Sequence, residues 1–198
     1  MQYVVHEVNN LEKLNRIDYD CGIEVDIRFR DGNLVVGHDL NELNLNFTDW
    51  LDAYGHKLLV ANIKDSGIED LVINEITSRK IDKFFLLDVE FPYIVKNKKN
   101  SGLWLSNRFS EYEDISNSEH FIKEIEWLWI DTFNKLPIGE SNIDTLKKFK
   151  TCLVSPSRWG RLSDVEHYID RMKALNYLPD AVMVEENEAD LWKLNISK

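Results

Sequence analysis

The sequence predicts an α/β fold, a compact (β/α)8 TIM barrel built as a single domain over residues 1–198. Two observations predict it. Short apolar runs alternate from end to end with polar-apolar stretches of helical spacing, eight of each, and the runs read as strands buried on both faces. An open, doubly wound sheet is the alternative architecture. Typical barrels run to about 250 residues, so a chain of 198 implies short loops and some reduced helices.

The strands are expected at 3–8, 22–29 with a return at 34–38, 57–64, 84–89, 103–109, 127–133, 151–155 and 181–185. Between them, helices are expected at 10–17, 47–54, 68–79, 91–98, 118–125, 143–149, 164–175 and 189–194. The stretch 164–175 is the clearest, with Ser163 as its N-cap and Val165, Tyr168, Ile169 and Met172 on one face. No linker and no second domain interrupts the alternation.

Composition bounds the function. With 43% apolar and 30% charged residues, four prolines and eight glycines, the chain belongs with globular proteins. Cys21 and Cys152 lack metal-ligand spacing and read as small buried hydrophobes. No run approaches the roughly 18 apolar residues of a membrane span, and MQYVVHEVNN lacks the pattern of a signal peptide, so a cytoplasmic location is expected. A formal net charge of −11 argues against nucleic acid and against stable membrane insertion as partners. The sequence carries no signal for an oligomeric state.

The stretch 22–40, GIEVDIRFRDGNLVVGHDL, carries the chemistry. Glu24 and Asp26 stand two residues apart in an apolar run, so period-2 alternation points both the same way, and His38 follows twelve residues later. Unpaired charges among Ile23, Val25 and Ile27 would cost several kcal/mol unless a cation or donors compensate. In a barrel, polar residues at the C-terminal strand ends converge on one mouth. They are His6, Glu24 and Asp26, His38, Asn62 and Lys64, Asp88, Asn107 and Arg108, Asp131, Ser155 and Arg158, and Glu185 or Glu186.

These residues resemble those of the glycerophosphodiester phosphodiesterases, within the wider group of phosphatidylinositol-specific phospholipase C-like phosphodiesterases. That family has a histidine at the end of strand one, an acid-x-acid pair, a DG turn and a VVxHD segment. Here these read as His6, Glu24-Val25-Asp26, Asp31-Gly32 and Val35-Val36-Gly37-His38-Asp39. The resemblance is close over 22–39 and beyond Lys64 is one of repeat rhythm. It implies a (β/α)8 barrel that hydrolyses phosphodiesters with one divalent cation, Mg or Ca. Glu24 and Asp26, with Asn62, would be the metal ligands, and His6 and His38 the acid-base or nucleophile pair. Lys64 would place a point charge on the phosphate.

Departures from the pattern shape the expectation. Glu7-Val8 stands where the family usually has Arg-Gly, so a phosphate-contacting arginine is missing there. Asn62 replaces a third acidic ligand. The segment Asn62-Ile63-Lys64 resembles the acid-x-lysine spacing of spider-venom phospholipase D enzymes, relatives that can release a cyclic phosphate. A short connection between strands two and three leaves an open mouth, suited to a bulky or polymeric phosphodiester. The expected substrate is a small-molecule or carbohydrate-linked phosphodiester. Intramolecular transfer releasing a cyclic phosphate, and a non-catalytic phosphate-binding barrel, are the alternatives.

Other residues carry further expectations. Arg158 and Arg161 lie after strand seven, where barrels often bind phosphate. Asp88 is expected to contact substrate, and like Asp131 it could instead serve structural hydrogen bonding. Trp104, Trp129 and Trp159 stand near strand ends and could line the pocket. His56, His120 and His167 read as surface residues, and the runs 96–99 and 185–188 as solvated faces.

Overall fold

A computed structural model describes residues 1–39, 41 and 45–197. Leu40, the last residue of the stretch 22–40, lies outside the described residues, as does Lys198. The strands are β1 (Gln2–Val5), β2 (Gly22–Arg30), β3 (Asn33–Val36), β4 (Leu45–Asn46), β5 (Leu59–Ile63), β6 (Phe84–Leu87), β7 (Ser106–Phe109), β8 (Trp127–Ile130), β9 (Lys150–Val154) and β10 (Ala181–Val184). The helices are α1 (Leu11–Arg16), α2 (Phe47–Asp52), α3 (Glu69–Ser78), α4 (Phe91–Ser101), α5 (Ser116–Glu119), α6 (Ile143–Leu146), α7 (Asp164–Ala174) and α8 (Ala189–Ser197).

The fold is mixed α/β, with strands and helices alternating as the sequence predicts. On one side of β1 the parallel ladder runs through β2 and β5 to β6, and on the other through β10, β9 and β8 to β7. Between β6 and β7 it narrows to one parallel bridge, Leu86 to Leu105, beside which the Ser106 hydroxyl donates to the Leu86 carbonyl at 2.7 Å. Antiparallel β3 and β4 hang on β2 as an outer hairpin. Asp31-Gly32 turns β2 into β3, at φ 51° and 85°, the paired positive values of a tight two-residue hairpin turn.

The two faces of the sheet have separate cores. Ile23, Val25 and Ile27 join the larger one under the helices. The smaller core holds Val4, Val60, Phe85, Leu87, Trp127, Trp129, Val154 and Met183, with Phe85 stacked on Trp127 at 4.6 Å. Because register pairs Glu24 with Val60 and Asp26 with Asn62, the acid pair projects on the smaller core's side.

Several elements differ from expectation. The stretch 118–125 is helical only as the short α5; beyond it Phe121 and Ile122 bond back three residues to Ser118 and Glu119 as turns, and Lys123 adopts φ 70°, outside the helical range. Residues 102–104 form a 3-10 turn, which delays β7 to Ser106. Ser163 is itself in the right-handed helical conformation and its side chain makes no capping bond, whereas Asn10 caps α1 by accepting from the Lys13 amide at 2.8 Å. His56 is buried instead of exposed: it stacks near Tyr19 and Tyr54, and its Nε2 lies 3.2 Å from the Ile17 carbonyl. Both cysteines are free, with Cys152 buried in β9. Among the described residues no helix is long and apolar enough to cross a membrane.

Candidate active site

The acid pair is buried to within 2% of full exclusion, so its environment must answer for its charge. Glu24 Oε1 accepts from Asn62 Nδ2 at 2.8 Å and Oε2 from the Glu7 amide at 2.6 Å. That amide is aimed by a left-handed backbone at Glu7, φ 54°, a conformation of the kind that collects at functional sites. Asp26 Oδ1 lies 3.1 Å from Lys64 Nζ, and Oδ2 accepts from Asn9 Nδ2 at 2.7 Å. Asn9 Oδ1 in turn accepts from the Asp26 amide at 3.0 Å, which latches the loop after β1 onto β2.

Donors offset only part of the cost. Burial, with the Asp26 charge next to it, pushes the Glu24 carboxyl up to about 7, against the opposing pull of His6 and its two hydrogen bonds. Asn62 Oδ1 is buried and has no hydrogen-bond partner among the described residues. Two buried carboxylates and an unpartnered amide oxygen form an oxygen donor set of the type that suits a hard cation. Among the described residues no three His, Cys, Asp or Glu side chains group to hold a metal, and the third oxygen beside the acid pair is that of Asn62.

A folded-state value above the ordinary carboxylate range favours the protonated form. The stabilisation is complete below about pH 4.5 and is lost as the pH rises through about 7. In chelator, the urea midpoint is expected to fall between pH 5 and pH 8, and Glu24→Gln is expected to flatten that fall. An equally steep fall in the variant would remove Glu24 as its source.

His6 follows β1, which pairs with β10, and so meets Glu185 at the end of that strand. Its Nδ1 lies 3.2 Å from Glu185 Oε1. A carboxylate only accepts, so Nδ1 carries the proton and Nε2 is left free for other chemistry. Burial lowers the His6 pKa, but the Glu185 bond and the Glu24 charge outweigh it and the net shift is upward. His38, half-exposed, holds Nδ1 3.0 Å from Asp39 Oδ1.

A chain of ion pairs forms the opposite wall. Lys64 reaches Asp88 at 3.7 Å, and Arg108 bridges Asp88 and Asp131. Burial raises the Asp131 carboxyl to about 6, with Arg108 pulling against that rise. Asp88 sits at φ 58°. His6, Glu24, Asp26, His38, Asn62, Lys64, Asp88 and Arg158 all line one cavity of about 160 Å³ with Arg108, Trp129, Asp131, Phe133 and Trp159.

No protein-family model and no curated protein matches the sequence. Solved structures do. A glycerophosphoryl diester phosphodiesterase from Parabacteroides distasonis superposes with a TM-score of 0.65 at 14% identity, covering 99% of this chain and 86% of its own. A candidate glycerophosphoryl diester phosphodiesterase from Agrobacterium tumefaciens gives 0.61 at 11% identity, covering 89% of this chain and 87% of its own. This chain shares the glycerophosphoryl diester phosphodiesterase fold.

Within the glycerophosphoryl diester phosphodiesterase fold, sequence reasoning left some cavity residues without an assigned role. Arg108 and Asp131 were placed at strand ends, but their pairing depends on the β7–β8 register, Arg108 beside Trp129. Glu185 falls in the run expected to be solvated, yet it orients His6. The adjacency of first and last strands in a barrel is the signal that finds it. Glu186 of the same run is bound by Arg16 at 2.6 and 2.8 Å. Trp129 and Trp159 line the cavity, whereas Trp104 stacks on Phe84 at 5.5 Å and is not among the lining residues. Arg161 is committed to Asp164, Tyr168 and the carbonyls of Thr132 and Phe133.

Proposed function

We propose that the chain is a metal-dependent phosphodiesterase of the glycerophosphodiester type, a (β/α)8 barrel closed at the β6–β7 seam and forming one domain over residues 1–198. The observation that carries this reading is the gathering of His6, His38, Glu24, Asp26, Asn62 and Lys64 around one cavity. The shared fold supports it. Glu24, Asp26 and the Asn62 amide oxygen are the groups that would hold Mg or Ca. When bound, the cation supplies charge neutralisation at a nonbridging phosphate oxygen.

The chain's own residues do the rest. Lys64 and Arg158 hold the phosphate, and Asp88 fixes Lys64 and Arg108 at the substrate-facing wall. One histidine takes a proton from the attacking water as its oxygen bonds to phosphorus; the other protonates the alkoxide as the P–O bond breaks. The Glu185 and Asp39 carboxylates orient the two rings. The substrate is a small-molecule or carbohydrate-linked phosphodiester.

Phosphorus NMR of a phosphodiester panel, with Mg, with Ca and with chelator, tests this. A metal-dependent phosphomonoester product, absent in His6→Ala and His38→Ala, is expected. A cyclic phosphate would instead establish intramolecular transfer. Metal-dependent binding without turnover would make the chain a phosphate-binding protein.

A further inference from the structure

A second cavity, of about 540 Å³, begins one residue beyond Phe133. Phe133 lines the catalytic cavity, its ring 4.9 Å from Trp159 and 5.9 Å from Tyr112, and the next two residues, Asn134 and Lys135, line the second. The facing wall is one side of α7, where Asp164, His167, Tyr168 and Arg171 recur at helical spacing. Arg161 ties the two walls together by donating to the carbonyls of Thr132 and Phe133 and to the Asp164 carboxylate and Tyr168 hydroxyl.

The charge of this lining departs from that of the protein. The whole chain carries a formal −11. In the catalytic cavity Lys64 is held by two carboxylates and Arg108 by three. In the second cavity the one lining acid, Asp164, is engaged by Arg161 at 3.0 Å. Lys135 and Arg171 have no carboxylate partner among the described residues, and the His167 imidazole stands beside them. Two uncompensated cations and an imidazole, converging in a concave site on an acidic protein, are an electrostatic focus for an anion. The guanidinium fork and the ammonium suit a phosphate.

We infer that this cavity is a second phosphate subsite, which takes a further phosphate of an extended phosphodiester whose scissile group occupies the catalytic cavity. The placement of the scissile group rests on the phosphodiesterase reading; the affinity of Lys135 and Arg171 for phosphate does not. Neither residue belongs to the catalytic machinery, and both are exposed.

The test is the double variant Lys135→Ala, Arg171→Ala in the full chain, with a synthetic glycerol phosphate tetramer and a single-phosphate diester as probes. In turnover, KM for the tetramer is expected to rise about tenfold with kcat unchanged, and neither constant for the single diester to move. In calorimetry, the tetramer Kd is expected to rise by the same factor, and Lys135→Arg to retain affinity. Equal effects on both probes, or an unchanged tetramer affinity, would overturn the subsite. If the parent protein turns over neither probe, the phosphodiesterase reading fails, while the tetramer calorimetry still decides the subsite: loss in the double variant supports it, and no binding to the parent overturns it.

Discussion

Replacing His6 or His38 with alanine is expected to lower phosphodiester turnover by about 10²- to 10⁴-fold, the range for loss of a positioned proton-transfer group, with the unfolding transition unchanged. His6 is the more informative, because its environment predicts a graded result. Its Nδ1 is engaged by the Glu185 carboxylate, which helps raise its pKa against the effect of burial. Glu185→Gln keeps an acceptor oxygen but removes the charge, so the limb of the pH-rate profile governed by His6 should move to lower pH, with a smaller loss at the optimum than in His6→Ala. A His38→Ala protein of unchanged activity would sink the pair as the acid-base machinery. Unchanged activity in His6→Ala would sink it equally.

Trp50→Ala is expected to destabilise the fold by about 3–5 kcal/mol, the range for deleting a large aromatic side chain from a packed core. Trp50 in α2 is fully buried and stacks between Phe47 at 6.0 Å and Tyr54 at 5.6 Å. Its indole also donates to the Val8 carbonyl at 3.0 Å, and the Val8 amide donates to the Glu24 carbonyl at 2.9 Å. Thus the ring supports from below the loop that carries His6, Glu7 and Asn9. Trp50→Phe retains most of the packing and leaves the Val8 carbonyl unmatched, at a cost of about 1–3 kcal/mol. Urea denaturation should rank the parent above Trp50→Phe and that above Trp50→Ala. Equal stability of Phe and Ala variants would show that packing contributes little there.

The legible part of this protein was the part in which short-range rules act alone. Alternation along β2 sends Glu24 and Asp26 one way and Ile23, Val25 and Ile27 the other, and Asp31-Gly32 supplies the turn that returns the chain toward His38. Those patterns, and the family likeness they carry, nominate His6, Glu24, Asp26, His38, Asn62 and Lys64, which line one cavity, but also Trp104 and Arg161, which do not line it. What was not legible depends on register or on tertiary context. The Arg108 bridge needs the β6, β7 and β8 ends to lie level, which no local pattern specifies. His56 reads as a loop residue, and only packing beneath Tyr19 and Tyr54 buries it. Beyond Glu119 the stretch 118–125 runs as turns, with a positive φ at Lys123, a residue type that gives no warning of it.

The single bridge between β6 and β7 divides the chain near its midpoint. Before it lie His6, Glu24, Asp26, His38, Asn62 and Lys64, the groups proposed to hold the cation and move protons. After it lie Arg108, Phe133, Arg158 and Trp159, with the groove formed by Lys135 and Arg171. On the proposed roles, proton transfer and cation binding fall mostly before the bridge, with Glu185, which orients His6 from beyond it, the exception. Stepwise change beyond the bridge that spares Glu185 and Arg158 would therefore retune the groove while leaving the proposed proton transfer in place.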